Sequence, residues 1–257
     1  MKNYFDLTEK VALVTGCSTG LGVQMAKALA NQGCNIMPLA RREEKIKEVA
    51  QMLISEYGVE AYPIQCDITD TEKVEAAIDK ALQHFGHIDI LINNAGTGAV
   101  APAEDITDLQ FENELNIDLF GTFRVARAVA KKAMIPAEYG RIINIASMYG
   151  LVGNKIAPAS PYHAAKGGVV NLTRALAAEW GKYNITVNAI CPGYFWTPLT
   201  KDTLDTEWFK EYAKGAIPQE RYGKEGELDT TAIFLASAAS SYVNGVMIPV
   251  DGGYTAI

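Results

Sequence analysis

Tyr162 and Lys166 lie four positions apart in "PYHAAKGG", a stretch that otherwise offers only small side chains and one histidine. On a helix that spacing puts both side chains on one face, toward a common ligand. A free phenol titrates near pH 10, so acting as a base near neutrality needs a shift of about three units, or roughly 4 kcal/mol. One cation about 4 Å away supplies about that much at an effective dielectric of about 20. The pair is therefore sufficient for proton chemistry, although the same spacing also serves an ordinary amphipathic surface. Ser147, just beyond "RIINIA", stands where a strand ends and could hold the oxygen that Tyr162 protonates or deprotonates. A serine at a strand end says little alone.

A second group of residues suits a nucleotide. "TGCSTGLG" places Gly16, Gly20 and Gly22 directly after the apolar run "VALVT", with Ser18, Thr19 and Leu21 in the same turn. Glycines there let backbone N–H groups approach a pyrophosphate, and the next helix adds positive potential; turns before helices also use glycine for steric reasons alone. At the end of the second predicted strand, "LARREEKI" carries Arg41 and Arg42 where an acid would accept from ribose hydroxyls. Two arginines favour a 2′-phosphate, hence NADP(H) before NAD(H), unless they simply pair with Glu43 or Glu44. In "CDIT", Asp67 beside Ile68 suits the adenine amino group and helix entry equally. "NNAG" supplies Asn94, Ala95 and Gly96 to the adenine-ribose side, while its asparagines could tie neighbouring strands.

These residues need a scaffold, and the pattern supplies one. β-branched runs alternate with segments of helical period: strands at 11–15, 35–39, "AYPIQ", 88–92, 141–146, 185–190 and 246–250. Helices are predicted at 21–32, 43–57, 71–85, 107–135, 161–182 and 226–238. Seven strands with intervening helices predict an α/β, doubly wound, mostly parallel Rossmann-type sheet in a single domain spanning 1–257. Strands apolar almost throughout imply helices on both faces. The least regular segment, about 194–222, reads as a lid over a site.

The 257 residues, 49% of them hydrophobic, suffice for a full core. A formal net charge of −7 argues against nucleic-acid or anionic-membrane partners and leaves a small molecule as the ligand. The apolar runs are too short to span a bilayer, and the start has no secretory pattern, so a cytoplasmic protein is expected. Cys17, Cys34, Cys66 and Cys191 are widely spaced, without metal-ligand spacing, and read as reduced structural thiols. No metal is expected. His163 should face away from Tyr162, and His84 and His87 read as helix-end residues.

"TGCSTGLG", "NNAG", Ser147, "YHAAK", "CPGYFWT" and "VDGGYTA" occur in the order and approximate spacing of the short-chain dehydrogenase/reductase family, which the whole chain resembles. The resemblance implies that Tyr162 is the acid/base, that Lys166 binds the nicotinamide ribose, and that Ser147 orients a carbonyl or alcohol. It implies that Pro192, Gly193, Phe195 and Thr197 border the nicotinamide. It also implies a homotetramer built on the helices near 107–135 and 161–182, whose broad apolar-small faces internal packing against the sheet would equally explain. Two departures stand out. Asp118 replaces the family's usual asparagine, whose backbone carbonyl helps a proton relay, and the loop from Ser147 to Tyr162 is about two residues longer than is usual for the family. Within the family the chain looks most like gluconate 5-dehydrogenase-type members, implying a sugar acid; a hydroxysteroid or 3-oxoacyl substrate are the enzyme alternatives. A cofactor-binding regulator without turnover is the alternative of another class. Tyr149, Asn154 and Tyr194, with Ser147 and Tyr162, are the substrate-contact candidates.

Overall fold

The computed structural model describes residues 3–98 and 100–257. In chain order the elements are β1 (Val11–Thr15), α1 (Leu21–Ala30), β2 (Asn35–Ala40), α2 (Glu43–Tyr57), β3 (Ile64–Gln65), α3 (Thr71–Phe85) and β4 (Ile90–Asn93). There follow α4 (Asp108–Leu115), α5 (Thr122–Val129), α6 (Ile135–Ala137), β5 (Gly140–Ile145), α7 (Ser160–Trp180) and β6 (Ile185–Pro192). The chain closes with α8 (Lys201–Leu204), α9 (Glu207–Ala216), α10 (Asp229–Ala236) and β7 (Met247–Val250).

Every strand pairing is parallel, in the order β3-β2-β1-β4-β5-β6-β7. β1, β4, β5 and β6 are buried at every position, which explains their unbroken apolar composition. Alternate residues of β1 serve opposite faces. Ala12 and Val14 join a core with Met25, Leu29, Leu53 and Leu235, while Val11 and Leu13 join one with Ile78, Val125 and Leu176. The strand order reverses between β1 and β4, and a crevice opens there at their carboxyl ends, as in other sheets of this type.

The predicted elements agree with these apart from three local differences. "AYPIQ" forms a strand only at Ile64–Gln65, with a lone bridge from Ala61 to Ile36, because Pro63 has no N–H to give at the sheet edge. The last helix begins at Asp229 rather than 226, where Gly226 takes a left-handed φ of 89°. The tract near 107–135 is continuous helix, but two wide π turns, at Asn116–Gly121 and Ala130–Met134, interrupt its α-helical bonding. α8 and α9 in the irregular segment enclose a small core of their own, where Leu204, Phe209, Ala213 and Ile217 are buried. Tyr194, Tyr212, Tyr222 and Tyr254 pack around it.

Candidate active site

α7 opens at Ser160 with Pro161 in its first turn, and Tyr162 and Lys166 occupy consecutive turns of one face. Two glycines, Gly168 on α7 and Gly150 in the turn after β5, mark close approaches to this helix. A Cβ on Gly150 would meet the Lys166 carbonyl at 2.7 Å, and one on Gly168 would meet Leu119 at 2.8 Å. The backbone after β5 and the π turn before α5 therefore press directly against α7, bringing Ser147 and Asp118 toward the Tyr–Lys pair.

Tyr162 is half-buried, with the Lys166 Nζ 5.5 Å from its ring centroid. Lys166 is buried; its Nζ donates to the Ile145 carbonyl at 3.0 Å and lies 3.0 Å from Asp118 Oδ2. The latter contact is an ion pair off the hydrogen-bond line, and Oδ2 accepts no hydrogen bond among the described residues. Burial alone would push the lysine down, but the Asp118 charge and the Tyr162 phenol outweigh it and hold the ammonium above its ordinary range. Ser147 is buried in extended backbone, and its Oγ accepts from Tyr149 N at 3.1 Å. Its own proton is left to donate to a ligand oxygen.

The glycine turn has the shape a pyrophosphate needs. Gly16 and Gly20 both take φ 66°. A Cβ on Gly16 would sit 2.8 Å from Ala95 Cα, and one on Gly22 would sit 2.8 Å from the Gly16 carbonyl. No side chain caps the N-terminus of α1 and its first turn carries no acid; Val23 N and Gln24 N donate to the Gly20 carbonyl, which leaves the Leu21 and Gly22 N–H groups to face an anion. Arg42 Nη2 donates to Ser18 Oγ at 2.7 Å and Thr19 Oγ1 at 3.0 Å. Glu43 and Glu44 pair with Lys47 instead, so the pairing of the arginines with these acids does not occur.

A cavity of about 310 Å³ joins Gly16, Ser18, Arg41, Arg42, Asp67 and Ile68. Asp67 is not the helix cap: Asp70 takes that place, accepting from Glu72 N and Lys73 N. Asp67 Oδ1 instead accepts from the backbone and hydroxyl of Thr69. Asn94 ties the strands, donating to the Thr15 carbonyl at 3.0 Å while its N–H binds Thr15 Oγ1. Asn93 is a buried strut to Asn144.

A second cavity of about 400 Å³ brings Gly16, Thr19, Gly20, Leu21, Asn94, Ala95 and Gly96 together with Ser147, Tyr162 and Lys166. Asp118, Tyr149, Pro192, Gly193, Tyr194, Phe195 and Thr197 also line it. Of the cofactor candidates, Ser18, Arg41, Arg42, Asp67 and Ile68 line the first cavity instead, and Gly22 lines neither. Asn154 lies one step further out, donating to the Tyr149 hydroxyl.

Beyond Tyr149 the structure reveals a chain of phenols that sequence reasoning caught only in part. Tyr149 bonds Tyr194, Tyr194 donates to Tyr212 at 3.4 Å, and Tyr212 meets Tyr254 at 3.2 Å. Burial raises all four, Tyr212 and Tyr254 to about 12, so they are uncharged hydroxyls at physiological pH. Tyr212 and Tyr254 were missed because they lie over 40 residues apart, although "VDGGYTA" contains one of them. Trp208 stacks on Tyr212 with ring centroids 5.7 Å apart, and Trp196 donates to Asp205.

The histidines lie elsewhere. His163 Nδ1 meets the Ala159 carbonyl at 2.8 Å and its ring stacks on Tyr149. His84 stacks on Tyr62 and meets Glu60; Gly86, not a histidine, closes α3. Among the described residues no cluster of His, Cys, Asp and Glu has the makings of a metal site, and no helix is long and apolar enough to cross a membrane.

Residues 16–255 match a family described as enoyl-(acyl carrier protein) reductase. A 2-dehydro-3-deoxy-D-gluconate 5-dehydrogenase of Escherichia coli is 39% identical over 98% of both chains. A gluconate 5-dehydrogenase of Gluconobacter oxydans is 37% identical over 98% of this chain and 96% of its own. A gluconate 5-dehydrogenase from Burkholderia cenocepacia, solved in complex with NADP and tartrate, is 38% identical with a TM-score of 0.94. That likeness covers 99% of this chain and 98% of the other.

Proposed function

We propose that this chain, which belongs to the short-chain dehydrogenase/reductase family and is an oxidoreductase of CH–OH groups, interconverts a sugar acid such as gluconate with its 5-keto form. NADP(H) is the preferred coenzyme in this reading and NAD(H) the second choice. The observation that carries the reaction is one cavity joining the glycine turn to Ser147, Tyr162 and Lys166. The substrate class rests on the phenol chain, whose uncharged hydroxyls suit a polyhydroxylated chain better than a steroid or an acyl tail. Lys155, on a cavity of about 570 Å³ with Asn154, Tyr212 and Tyr254, adds a cation for the substrate's carboxylate.

The chemistry supplied by a bound nicotinamide is the acceptance or donation of a hydride. Gly16, Gly20 and the α1 N-terminus would hold the pyrophosphate, Arg41 and Arg42 the 2′-phosphate, and Asp67 with Ile68 the adenine. Pro192, Gly193, Phe195 and Thr197 would border the nicotinamide. Ser147 donates to the substrate oxygen and fixes its distance from Tyr162. During oxidation Tyr162 takes the hydroxyl proton; during reduction it returns one to the forming alkoxide. Residues 194–222 act as the lid, with α8 and α9 its folded part. The cytoplasm is the proposed location, supported by four buried free cysteines.

An absorbance screen of keto acids, polyols and steroids with both reduced coenzymes tests this reading. A steroid turned over faster than every sugar acid would refute the substrate class. Tyr162→Phe should cost at least about a hundredfold in turnover and leave coenzyme affinity almost unchanged. Coenzyme binding with no substrate-dependent absorbance change would favour the regulator.

A further inference from the structure

The cavity contains a carboxylate that the proton chemistry described above does not need. Asp118 is fully buried, and both its oxygens are committed to fixed places. Oδ1 accepts from Thr97 N at 2.8 Å, and Gly96 permits the approach, since a Cβ there would lie 2.8 Å from Oδ2. Its backbone carbonyl accepts from Thr122 Oγ1 at 2.7 Å, so the carbonyl expected to assist a relay already has a partner. The carboxylate, rather than the carbonyl, faces Lys166, with side-chain exposures of 0% and 5%.

We propose that Asp118 is a positioning residue of the reaction: its carboxylate clamps Lys166 and cancels much of the cation's field at Tyr162. The proton step then runs at a higher pH than the Tyr162–Lys166 pair alone would set. This rests on the reading of Tyr162 as acid/base. The physical basis is that an ammonium 3.0 Å from a carboxylate acts at the phenol as a dipole, not as a unit charge. With so little water around the pair, solvent screens neither charge well.

Other ionisable groups around the pair do not restore the lost field. Glu114, from α4, adds negative potential at Lys166. The Cys191 thiol from β6 is pushed up to about 11 by burial and stays neutral. Tyr149, whose ring lies 6.5 Å from that of Tyr162, is likewise neutral, and His163 is turned onto Tyr149.

Asp118→Asn keeps the shape and removes the charge. The acid limb of the kcat/KM profile for alcohol oxidation should then move down by about one pH unit, giving up to about tenfold more activity below that limb. Because that measurement needs the right substrate, the phenolate absorbance is titrated in parallel with NADP+ present. The difference between protein with Tyr162 and the matching Tyr162→Phe protein isolates the one phenol. Its midpoint should fall by the same amount in Asp118→Asn and in Asp118→Ser. An unmoved or higher midpoint, as when an unpaired Lys166 sheds its proton, overturns the proposal, and so does failure of both variants to fold. Failure to find any substrate would count against the proposed function and leave this titration readable.

Discussion

Arg42 binds two hydroxyls, those of Ser18 and Thr19, and forms no ion pair among the described residues, so its charge is left for a ligand. An anion placed there gains charge-assisted bonds that a neutral ribose cannot match. Arg42→Ala or Arg41→Ala should therefore raise the KM for NADP+ about tenfold or more while changing that for NAD+ little. Steady-state kinetics with each coenzyme decide the matter, and equal losses would remove both arginines from discrimination. Lys155 makes a parallel case at the substrate end. Lys155→Ala should raise the KM for a sugar acid about tenfold and leave that for the matching neutral polyol nearly unchanged, measured side by side. The individual residues were legible where local spacing carries the chemistry, as with Tyr162 and Lys166 on one helical face. Asp118 was legible only as a position. Its ion pair depends on the π turn and on Gly96, neither of which has a periodicity to read.

α10 carries a cost that its sequence conceals. Asp229 stands in the first turn, where an acid usually favours the helix, yet its Oδ1 is buried without a hydrogen-bond partner among the described residues. Burial, aided by Glu225, raises its carboxyl to about 6 from an ordinary 3.8. A carboxyl raised in the folded state binds its proton more tightly there than in the unfolded chain. Its contribution to stability is thus complete below about pH 4 and lost as the pH rises through about 6. Asp229→Asn should raise Tm by about 2 °C at pH 8, equivalent to about 1 kcal/mol after allowance for its partial exposure, with no gain near pH 4. Thermal unfolding at the two pH values tests this, and an equal shift at both would point to a cause other than ionisation. The elements themselves were foreseeable because buried strands must be apolar throughout and the segments between them keep a helical period. "AYPIQ" misled because proline satisfies an apolar pattern while withholding the N–H on which a strand depends.

The sheet determines where these parts meet: β1 and β4 set the coenzyme crevice, while β5 and β6 deliver Ser147 and the Pro192–Gly193 turn to the same edge. This convergence follows from the strand order; the alternation of strands and helices implied a doubly wound, mostly parallel sheet but not that order. The phenol chain does not follow from it, because Tyr149 comes from the turn after β5, Tyr194 and Tyr212 from the segment between β6 and α10, and Tyr254 from the segment after β7. Outside the site, Leu109 on α4 and Phe120 in the following π turn are 66% and 53% exposed, an unfavourable placement for two large apolar side chains in water. We propose that they are covered in a homotetramer built on the helical tract near 107–135 and on α7. Since α7 also carries Tyr162 and Lys166, assembly would stiffen the helix from which the proton chemistry is run. Phe120→Glu buries a charge in that interface if the tetramer exists and sits harmlessly in water if it does not. The variant should sediment as smaller species where the parent sediments as four chains, with a matching loss of turnover at low protein concentration. A parent that sediments as a single chain while fully active would remove the tetramer from the account of this site.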